Sequence, residues 1–510
     1  MAKRGLKGVP AEIIQQGFAH HKAGDFASAE KSYRRALKRD KKNADALYLL
    51  GSLYLQTDSL TKSEKTLKMA LTVQPGRVEA QYNLARVYIQ TQRFADAEPL
   101  LMEGLNADPH NFSVLGSLGI VQLNLGNHKG AIHFLERAVE VDPTSTEAWC
   151  DLGVACSRGD VDKRATEAFE RALTLDPAHA RARHNRAHLR LQNRNFEAGW
   201  FDYEARRSDV QSGFVARPFD LPEWSGEDLA EHTILVWGEQ GLGDQILHAS
   251  MFADLIEKSK LVIIECEPRL QPLFQRSFPD ARVVRATLPP LPEILSFGPS
   301  RQCAGGSLGQ WLRRNENTFP SRPAFLHSDP DRTQDLLASC INSFGAGIRV
   351  GLSWKSSRVD LGPHKSVDLA TDWAPIFRAK PEVHFVSIQY GDTEREREAV
   401  QIEHGIPIHE ISDVNVTKDI DGLAALISTL DLVITTSSTS AHLAGALGIP
   451  TWVLVPRGRG RFWYWFDNDR VSLWYPPLTL YWQETAGDWG APVRAIADEF
   501  THWYEKKSKL

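Results

Sequence analysis

Three short segments of this 510-residue sequence carry side chains that could perform chemistry, and each follows an apolar, strand-like run. The first segment is Glu239-Gln240-Gly241-Leu242-Gly243-Asp244. Its glycines permit a tight turn and close backbone approach, and a helix that begins there favours an anion at its N-terminus. Asp244 would lie at the mouth of a cleft, where a carboxylate can act as a general base. The alternative is that Asp244 only caps the helix that it begins.

The second segment places two lysines among hydroxyl groups. The run Gly351–Ser357 contains Lys355, and His364, Lys365 and Ser366 follow it. Lysine ammonium groups and serine hydroxyls can hold a diphosphate by charge and hydrogen bonds. Surface lysines in a loop without a ligand are the alternative.

The third segment, residues 437–448, is a hydroxyl-rich turn that opens a helix of small residues. Backbone amides and the hydroxyls of Ser438, Thr439 and Ser440 would converge at the positive end of that helix, which suits a phosphate group. His442 lies one turn into the helix. It is either catalytic or a structural histidine with satisfied hydrogen bonds.

Alternating strands and helices position these segments. Strands are predicted at residues 233–237, 261–265, 281–284, 349–354, 384–389, 432–435 and 451–455, with amphipathic helices between them. This alternation predicts parallel, doubly wound sheets that bind ligands at the carboxyl ends of their strands. We expect a connector at 207–230, one half at 231–345 and a second half at 346–510. Two such halves would leave a cleft between them.

The first 206 residues show an internal repeat. Pro75, Pro109, Pro143 and Pro177 are spaced by 34 residues, and small residues recur in the same frame at Gly51, Ala85, Gly119 and Gly153. Small residues let two helices approach closely, and the proline ends the second helix. The spacing resembles the tetratricopeptide repeat (TPR), and five units cover about residues 10–178. Stacked units bury a continuous core and offer a concave surface to a peptide or protein partner.

A degenerate sixth unit spans about residues 180–206. Arg183, Arg186, Arg190 and Arg194 share one helical face there. Two interpretations are open: a solvated cap that ends the solenoid, or a basic strip that faces the next domain or an acidic acceptor.

The amino-acid composition argues against several classes of function and site. The 59 basic and 64 acidic residues give a net charge of −5, which argues against a general binder of nucleic acids or membrane surfaces. Five scattered cysteines suggest neither a disulfide framework nor a zinc site. The N-terminus has no secretory signal pattern, and residues 432–456, the longest uncharged stretch, contain seven Ser or Thr. We therefore expect a cytoplasmic protein without stable membrane insertion.

Taken together, these motifs resemble bacterial TPR-glycosyltransferases. The resemblance rests on the repeats, Trp224, the residue 239–244 turn, Ser353-Trp354-Lys355, Gln389-Tyr390-Gly391-Asp392, the residue 437–448 segment, Trp474-Tyr475-Pro476 and Gly487-Asp488-Trp489. The second part of the chain is similar to the lipopolysaccharide heptosyltransferases of glycosyltransferase family nine, which have a GT-B fold. Flagellin-modifying TPR-glycosyltransferases have a similar architecture.

The resemblance implies transfer of a sugar from a nucleotide-sugar donor, without a required metal or cofactor and with inversion. It implies Asp244 as the base on a cleft turn formed by Gln240, Gly241 and Gly243. It assigns the donor and its phosphates to Lys355, Lys365, Ser366, Ser438, Thr439, Ser440 and His442, beside a nucleotide-side loop of Gln389, Tyr390 and Asp392. It also implies that the C-terminal amphipathic stretch packs back on the two halves.

The resemblance has one departure, because heptosyltransferases carry an acidic residue at the position of Ser437. The expected acceptor is a protein selected by the repeats, with flagellin as a candidate. A cell-surface polysaccharide or lipid-linked glycan is an alternative acceptor, and an inactive TPR scaffold is the non-enzymatic alternative.

Overall fold

The computed structural model describes residues 8–356, 362–379, 382–467 and 469–509, so Ser357 of the second segment lies outside the described residues. The chain forms two compact units, one that ends at His179 and one that begins at Ala180. Among the described helices, none is both long enough and apolar enough to cross a membrane.

The first unit consists of five helix pairs. Its helices are α1 (Gly8–Lys22), α2 (Phe26–Arg39), α3 (Ala44–Gln56), α4 (Leu60–Val73), α5 (Val78–Gln90), α6 (Phe94–Ala107), α7 (Phe112–Asn124), α8 (His128–Val141), α9 (Thr146–Arg158) and α10 (Asp162–Leu175). Side-chain caps fix where pairs begin: Asn111 accepts a hydrogen bond from the amide of Val114, and Ser145 accepts one from the amide of Ala148. Both caps lie two residues after a recurring proline. The helical solenoid predicted from the 34-residue period is confirmed.

The recurring small residues bring the two helices of a pair into contact. A Cβ atom on Gly51 would lie 2.7 Å from Cγ of Leu67, and one on Gly119 would overlap Leu135. Leu67 and Leu135 are both completely buried. The large apolar residue of each pair therefore occupies the space that the small residue leaves open.

The second unit contains the remaining helices and strands. The helices are α11 (Ala180–Gln192), α12 (Phe196–Tyr203), α13 (Leu242–Ala249), α14 (Phe252–Lys258), α15 (Gln271–Ser277), α16 (Glu293–Ser296), α17 (Gly309–Leu312), α18 (Pro330–Phe344), α19 (Gly362–Lys365), α20 (Ala374–Arg378), α21 (Glu394–His404), α22 (Ile420–Ser428), α23 (Thr439–Ala446) and α24 (Gly490–Lys507). The strands are β1 (Leu229–Trp237), β2 (Ser259–Cys266), β3 (Arg282–Arg285), β4 (Arg301–Ala304), β5 (Ile348–Ser353), β6 (Val383–Ser387), β7 (Ile408–His409), β8 (Leu432–Thr436), β9 (Thr451–Val455) and β10 (Leu478–Trp482). The C-terminal helix α24 packs against α20, β9 and β10.

The strands form two parallel sheets. The first sheet has the order β3-β2-β1-β4, and the second has the order β7-β6-β5-β8-β9-β10. Every pair within them is parallel. The strand order reverses between β1 and β4 and again between β5 and β8, and such switch points are where doubly wound sheets bind ligands. The predicted α/β class with parallel sheets is confirmed.

Three strands escape sequence prediction, and all three are edge strands. They are β4, β7 and β10. The fourth edge strand, β3, is predicted at 281–284, so an edge position alone does not conceal a strand. β4 also lies in a stretch rich in Pro and Gly, and β7 has only two residues.

The arginines of the degenerate sixth repeat are not a solvated cap. Their helix, α11, belongs to the second unit. Nε of Arg186 lies 2.7 Å and Nη1 of Arg190 lies 2.8 Å from the completely buried carboxylate of Asp202. Arg194 pairs with Asp469, which precedes β10. The arginines therefore attach the repeat-like helices to the rest of the α/β unit.

We expect opposite effects from two alanine substitutions in α7. Gly119→Ala should destabilise the solenoid by about 1–3 kcal/mol because its methyl group would overlap Leu135. Gly116→Ala should stabilise it by about 0.5–1 kcal/mol because a Cβ there meets no atom of the described residues within 4 Å and alanine favours the helix. Hydrogen exchange of α7 and α8 peptides during a urea titration measures both changes. Equal effects of the two substitutions would contradict the packing argument.

Candidate active site

The first and third segments meet in the second unit. Gly241 precedes α13, which follows β1, and Ser438 precedes α23, which follows β8. The helices lie so close that a Cβ on Gly243 would be 3.0 Å from Cδ2 of His442. The carboxyl ends of the two sheets therefore face each other, and a side chain at position 243 would separate them.

Asp244 is partly buried at this meeting point. Its carboxylate accepts a hydrogen bond of 3.1 Å from the amide of Gly241, so it does cap α13. Burial raises its pKa from the usual 3.8 to about 6, and the negative charge of Glu239 also raises it. The Gly241 hydrogen bond and the Lys365 ammonium oppose this rise. Asp244 can therefore cap the helix and still accept a proton near neutral pH.

The turn that carries Asp244 is supported by a completely buried ion pair. Arg206 and Glu239 have no exposed side-chain surface, and Nη2 of Arg206 lies 2.7 Å from Oε1 of Glu239. The amide of Gly306, just past β4, donates a hydrogen bond of 2.6 Å to the same oxygen. Burial alone would raise the pKa of Glu239, but the Arg206 guanidinium lowers it below its usual value. Glu239 is therefore a fixed negative charge beneath the turn.

The cleft turn itself has an unusual backbone. Gln240 has a φ of +61° and an exposed side chain, and Gly241 follows it in an extended conformation. A positive φ costs a residue with a Cβ some free energy, so the buried pair below the turn must hold it in place.

Lys365 is a buried lysine at the end of α19. Only 4% of its surface is exposed, and its Nζ lies 4.4 Å from the centre of the Phe462 ring. Its charge lowers the pKa values of both Asp244 and His442. The surface-lysine interpretation is therefore wrong for Lys365. The next residue, Ser366, accepts a hydrogen bond of 3.4 Å from the amide of Ser356.

The start of α23 presents hydroxyl groups and backbone amides. Oγ of Ser438 lies 3.2 Å from Oγ1 of Thr435, and Thr439 is partly exposed. Ser440 is buried inside the first turn. The side chain of Ser438 does not cap the helix, so the first amides of α23 can donate to an anion.

His442 is buried among aromatic rings. Its Nδ1 lies 2.9 Å from the hydroxyl oxygen of Tyr475, and its ring stacks on Trp465 with centroids 5.2 Å apart. Burial lowers its pKa to about 3, with smaller contributions from Lys365 and His248. The imidazole is therefore neutral at physiological pH, where it can exchange hydrogen bonds but carries no charge.

Lys355 belongs to a second group of hydrogen-bonded residues. Oε1 of Gln389 accepts hydrogen bonds from Ser353 Oγ and from the amides of Trp354 and Lys355, at 2.8–3.0 Å. Nζ of Lys355 lies 2.6 Å from the carboxylate of Glu396, which offsets its charge. The remaining predicted members also contact Lys355: the Tyr390 hydroxyl donates to its carbonyl oxygen at 3.0 Å, and the backbone carbonyl of Asp392 accepts from its Nζ at 3.3 Å.

Sequence reasoning assigned no role to Arg206, Glu239 or Tyr475, although all three contact or support the site. Arg206 is one of two adjacent arginines, and its local sequence does not distinguish it from a surface residue. Tyr475 reaches His442 from a loop more than 30 residues away. Only the tertiary fold identifies such partners.

Removing Arg206 should strongly destabilise the second unit. Arg206→Met leaves Glu239 buried and unpaired, which we expect to cost about 3–5 kcal/mol. Arg207→Met is the matched control, since Arg207 is partly exposed and should cost less than about 1 kcal/mol. Guanidinium denaturation followed by tryptophan fluorescence reports this unit, because all of the chain's 14 tryptophans except Trp149 lie in it. A similar loss in both variants would show that the buried pair has no special role.

The raised pKa of Asp244 predicts a pH-dependent gain in stability from Asp244→Asn. The native pKa of about 6 exceeds the usual 3.8, so the ionised carboxylate disfavours folding above pH 6 and has no such effect below pH 4. We expect the asparagine variant to be more stable by about 1–3 kcal/mol at pH 7.5, and this gain to disappear as the pH falls through 6 to 4. The free energy of unfolding is measured against pH. Asp280→Asn, at an exposed position, is the control substitution, and a gain for Asp244→Asn that does not change with pH would contradict the assigned shift.

Comparisons with known proteins identify the repeats. Tetratricopeptide repeat families match residues 15–76, 67–119 and 117–180. The protein FlbA of Caulobacter vibrioides is 32% identical over 317 residues, which cover 59% of this chain and 51% of FlbA. The chain thus spans about half the length of this relative.

Solved structures align with about a third of the chain. A mutant of MamA is 26% identical, with 33% of this chain and 97% of MamA covered and a TM-score of 0.31. YrrB, described as a TPR protein with an unusual peptide-binding site, is 22% identical, with 36% of this chain and 96% of YrrB covered and a TM-score of 0.32. The family matches show that residues 15–180 are tetratricopeptide repeats, as the 34-residue period predicts.

Proposed function

We propose that this chain is a glycosyltransferase that moves a sugar from a nucleotide-sugar donor to a protein acceptor, without a required metal and with inversion. One observation carries the proposal. Asp244, a carboxyl group with a pKa of about 6 that the Lys365 charge lowers, directly follows Gly243, which packs against His442 in the first turn of α23 on the second sheet. A base and an anion site therefore face each other across two ligand-binding sheet edges.

The base and the anion site suit the two bond changes of a glycosyl transfer. The acceptor hydroxyl forms a bond to the anomeric carbon while the bond to the donor diphosphate breaks. Asp244 accepts the hydroxyl proton, and the electron pair of the broken bond leaves on the diphosphate. Lys365 and the amides of α23 stabilise that negative charge. Direct displacement of this kind inverts the anomeric configuration.

The pKa of Asp244 is suited to this role. At pH 7 a carboxyl group with a pKa of about 6 is mostly ionised, so it can accept a proton. It is also more basic than an ordinary aspartate, which favours proton transfer from a hydroxyl group. The neutral imidazole of His442 supports the anion side by hydrogen bonding and leaves the positive charge to Lys365.

The repeats support a protein acceptor. Tetratricopeptide solenoids present an extended concave surface, and their stacked helices hold partner segments along it. Flagellin is the first acceptor to test, because flagellin-modifying TPR-glycosyltransferases resemble this chain in architecture. The match to FlbA covers 51% of that protein and does not identify an acceptor.

Asp244→Asn should abolish transfer without abolishing donor binding. We expect the transfer rate to fall by about 10²–10⁴-fold, the usual contribution of a positioned base. The measurement is the mass increase of purified flagellin with each of UDP-, GDP-, ADP- and CDP-sugars. Asp280→Asn serves as the control and should retain wild-type turnover. Wild-type turnover in Asp244→Asn would remove the assigned base.

The same assay yields a pH profile. Because Asp244 must be ionised, kcat/KM of the wild type should fall about tenfold per pH unit below pH 6.

Two other outcomes would change the proposal. Sugar transfer to a lipid-linked or polysaccharide glycan, with none to protein, would show that the acceptor is a glycan. A failure of every nucleotide to raise the melting temperature would favour the inactive scaffold.

A further inference from the structure

The loop after β9 alternates arginine and glycine: Pro456-Arg457-Gly458-Arg459-Gly460-Arg461. Gly458 and Gly460 have φ values of +64° and +95°, a region that residues with a Cβ rarely adopt. The backbone therefore turns sharply on both sides of Arg459. β9 lies beside β8, so the loop emerges at the same sheet edge as the start of α23.

The first arginine of the loop is firmly attached to the protein. The amide of Arg457 donates a hydrogen bond of 3.1 Å to Oε1 of Gln483, and its Nε donates one of 2.7 Å to the Gln483 carbonyl oxygen. Gln483 directly follows β10, and only 1% of its surface is exposed. The loop thus has a fixed origin at the carboxyl edge of the second sheet.

The far side of the loop packs on Lys365. A Cβ on Gly460 would lie 3.0 Å from Cγ of Lys365 and 3.6 Å from Cβ of His364. Phe462, the next residue after the arginines, lies under the Lys365 ammonium group. The arginine loop and Lys365 therefore form one surface, and Lys365 connects it electrostatically to Asp244.

This surface contains four cationic side chains: Arg457, Arg459, Arg461 and Lys365. Oδ1 of Asp467 lies 3.6 Å from Arg457 and 3.9 Å from Arg461. Arg459 differs from its neighbours, because its Nε is buried and has no hydrogen-bond partner among the described residues. The residue as a whole is only partly buried, so its guanidinium group can donate hydrogen bonds to an oxyanion that reaches the loop.

We propose that Arg459 binds the diphosphate of a nucleotide and, with Lys365, holds the leaving group of the transfer reaction. The inference rests on the proposed function and adds a binding residue to it. As the bond between the anomeric carbon and the diphosphate oxygen breaks, its electron pair stays on the diphosphate. The planar guanidinium fork matches two phosphate oxygens at once, and its charge offsets the charge that develops there.

Calorimetric titration of the full-length chain tests this inference. UDP, GDP, ADP and CDP are each compared with their monophosphates, and inorganic pyrophosphate is titrated separately. We expect Arg459→Gln to weaken binding of the preferred diphosphate by about 10–100-fold and its monophosphate by less than about threefold. Arg378→Gln, at an exposed position in α20, makes the same charge change and should bind like the wild type.

A conservative variant separates charge from geometry. Arg459→Lys keeps the charge but loses the two-pronged fork, so its affinity for the diphosphate should fall between those of the wild type and Arg459→Gln. The melting temperature of each unliganded variant must match that of the wild type. If Arg459→Gln is destabilised, Arg459→Lys becomes the decisive comparison.

The outcomes distinguish this inference from the proposed function. Wild-type diphosphate affinity in both Arg459 variants would overturn the inference while nucleotide binding by the wild type still supports the donor site. Binding of pyrophosphate through Arg459 without any nucleotide would support the anion site and overturn the nucleotide donor. If the wild type binds neither nucleotides nor pyrophosphate, both proposals fail.

Discussion

The buried ion pair between Arg206 and Glu239 determines how the second unit is organised. Glu239 lies two residues beyond β1, and its carboxylate is held between the Arg206 guanidinium and the amide of Gly306 beyond β4. Arg206 follows α12, so the pair attaches the last repeat-like helices to the switch point of the first sheet. An unpaired charge in this place would be costly, so the last repeat-like helices stabilise the sheet at this point. This explains why the compact units divide at residue 180 and not after residue 206.

The same pair shapes the chemistry above it. Arg206 keeps Glu239 ionised, and the fixed negative charge of Glu239 adds to burial in raising the pKa of Asp244. Lys365 opposes that rise from the other sheet. The opposing charges of Glu239 and Lys365, together with burial, thereby set the pKa of Asp244 at about 6. Its ionisation above pH 6 disfavours folding, so the second unit retains this carboxyl group at a cost in stability.

The sequence predicts those parts of the fold that local spacing encodes. A 34-residue period is visible because each pair of helices repeats the same small-against-large contact, as between Gly51 and Leu67. Central strands are visible because they form runs of buried apolar residues, whereas β4 and β7 have only four and two residues. The sequence does not predict which side chains pair with each other. Lys355 and Lys365 have similar sequence surroundings, yet one pairs with Glu396 and the other is buried beside Asp244.

The departure at Ser437 has a physical explanation in the aromatic cluster around it. Ser437 is 1% exposed, and its Oγ accepts a hydrogen bond of 2.8 Å from the indole nitrogen of Trp465. His442 stacks on that indole and contacts Tyr475 on its other side. A carboxylate at position 437 would place a negative charge among these rings, at a large desolvation cost. Serine satisfies the indole without a charge, so Ser437 and Trp465 form one unit that positions His442. The positive charge that acts on His442 then comes from a residue outside this unit, Lys365.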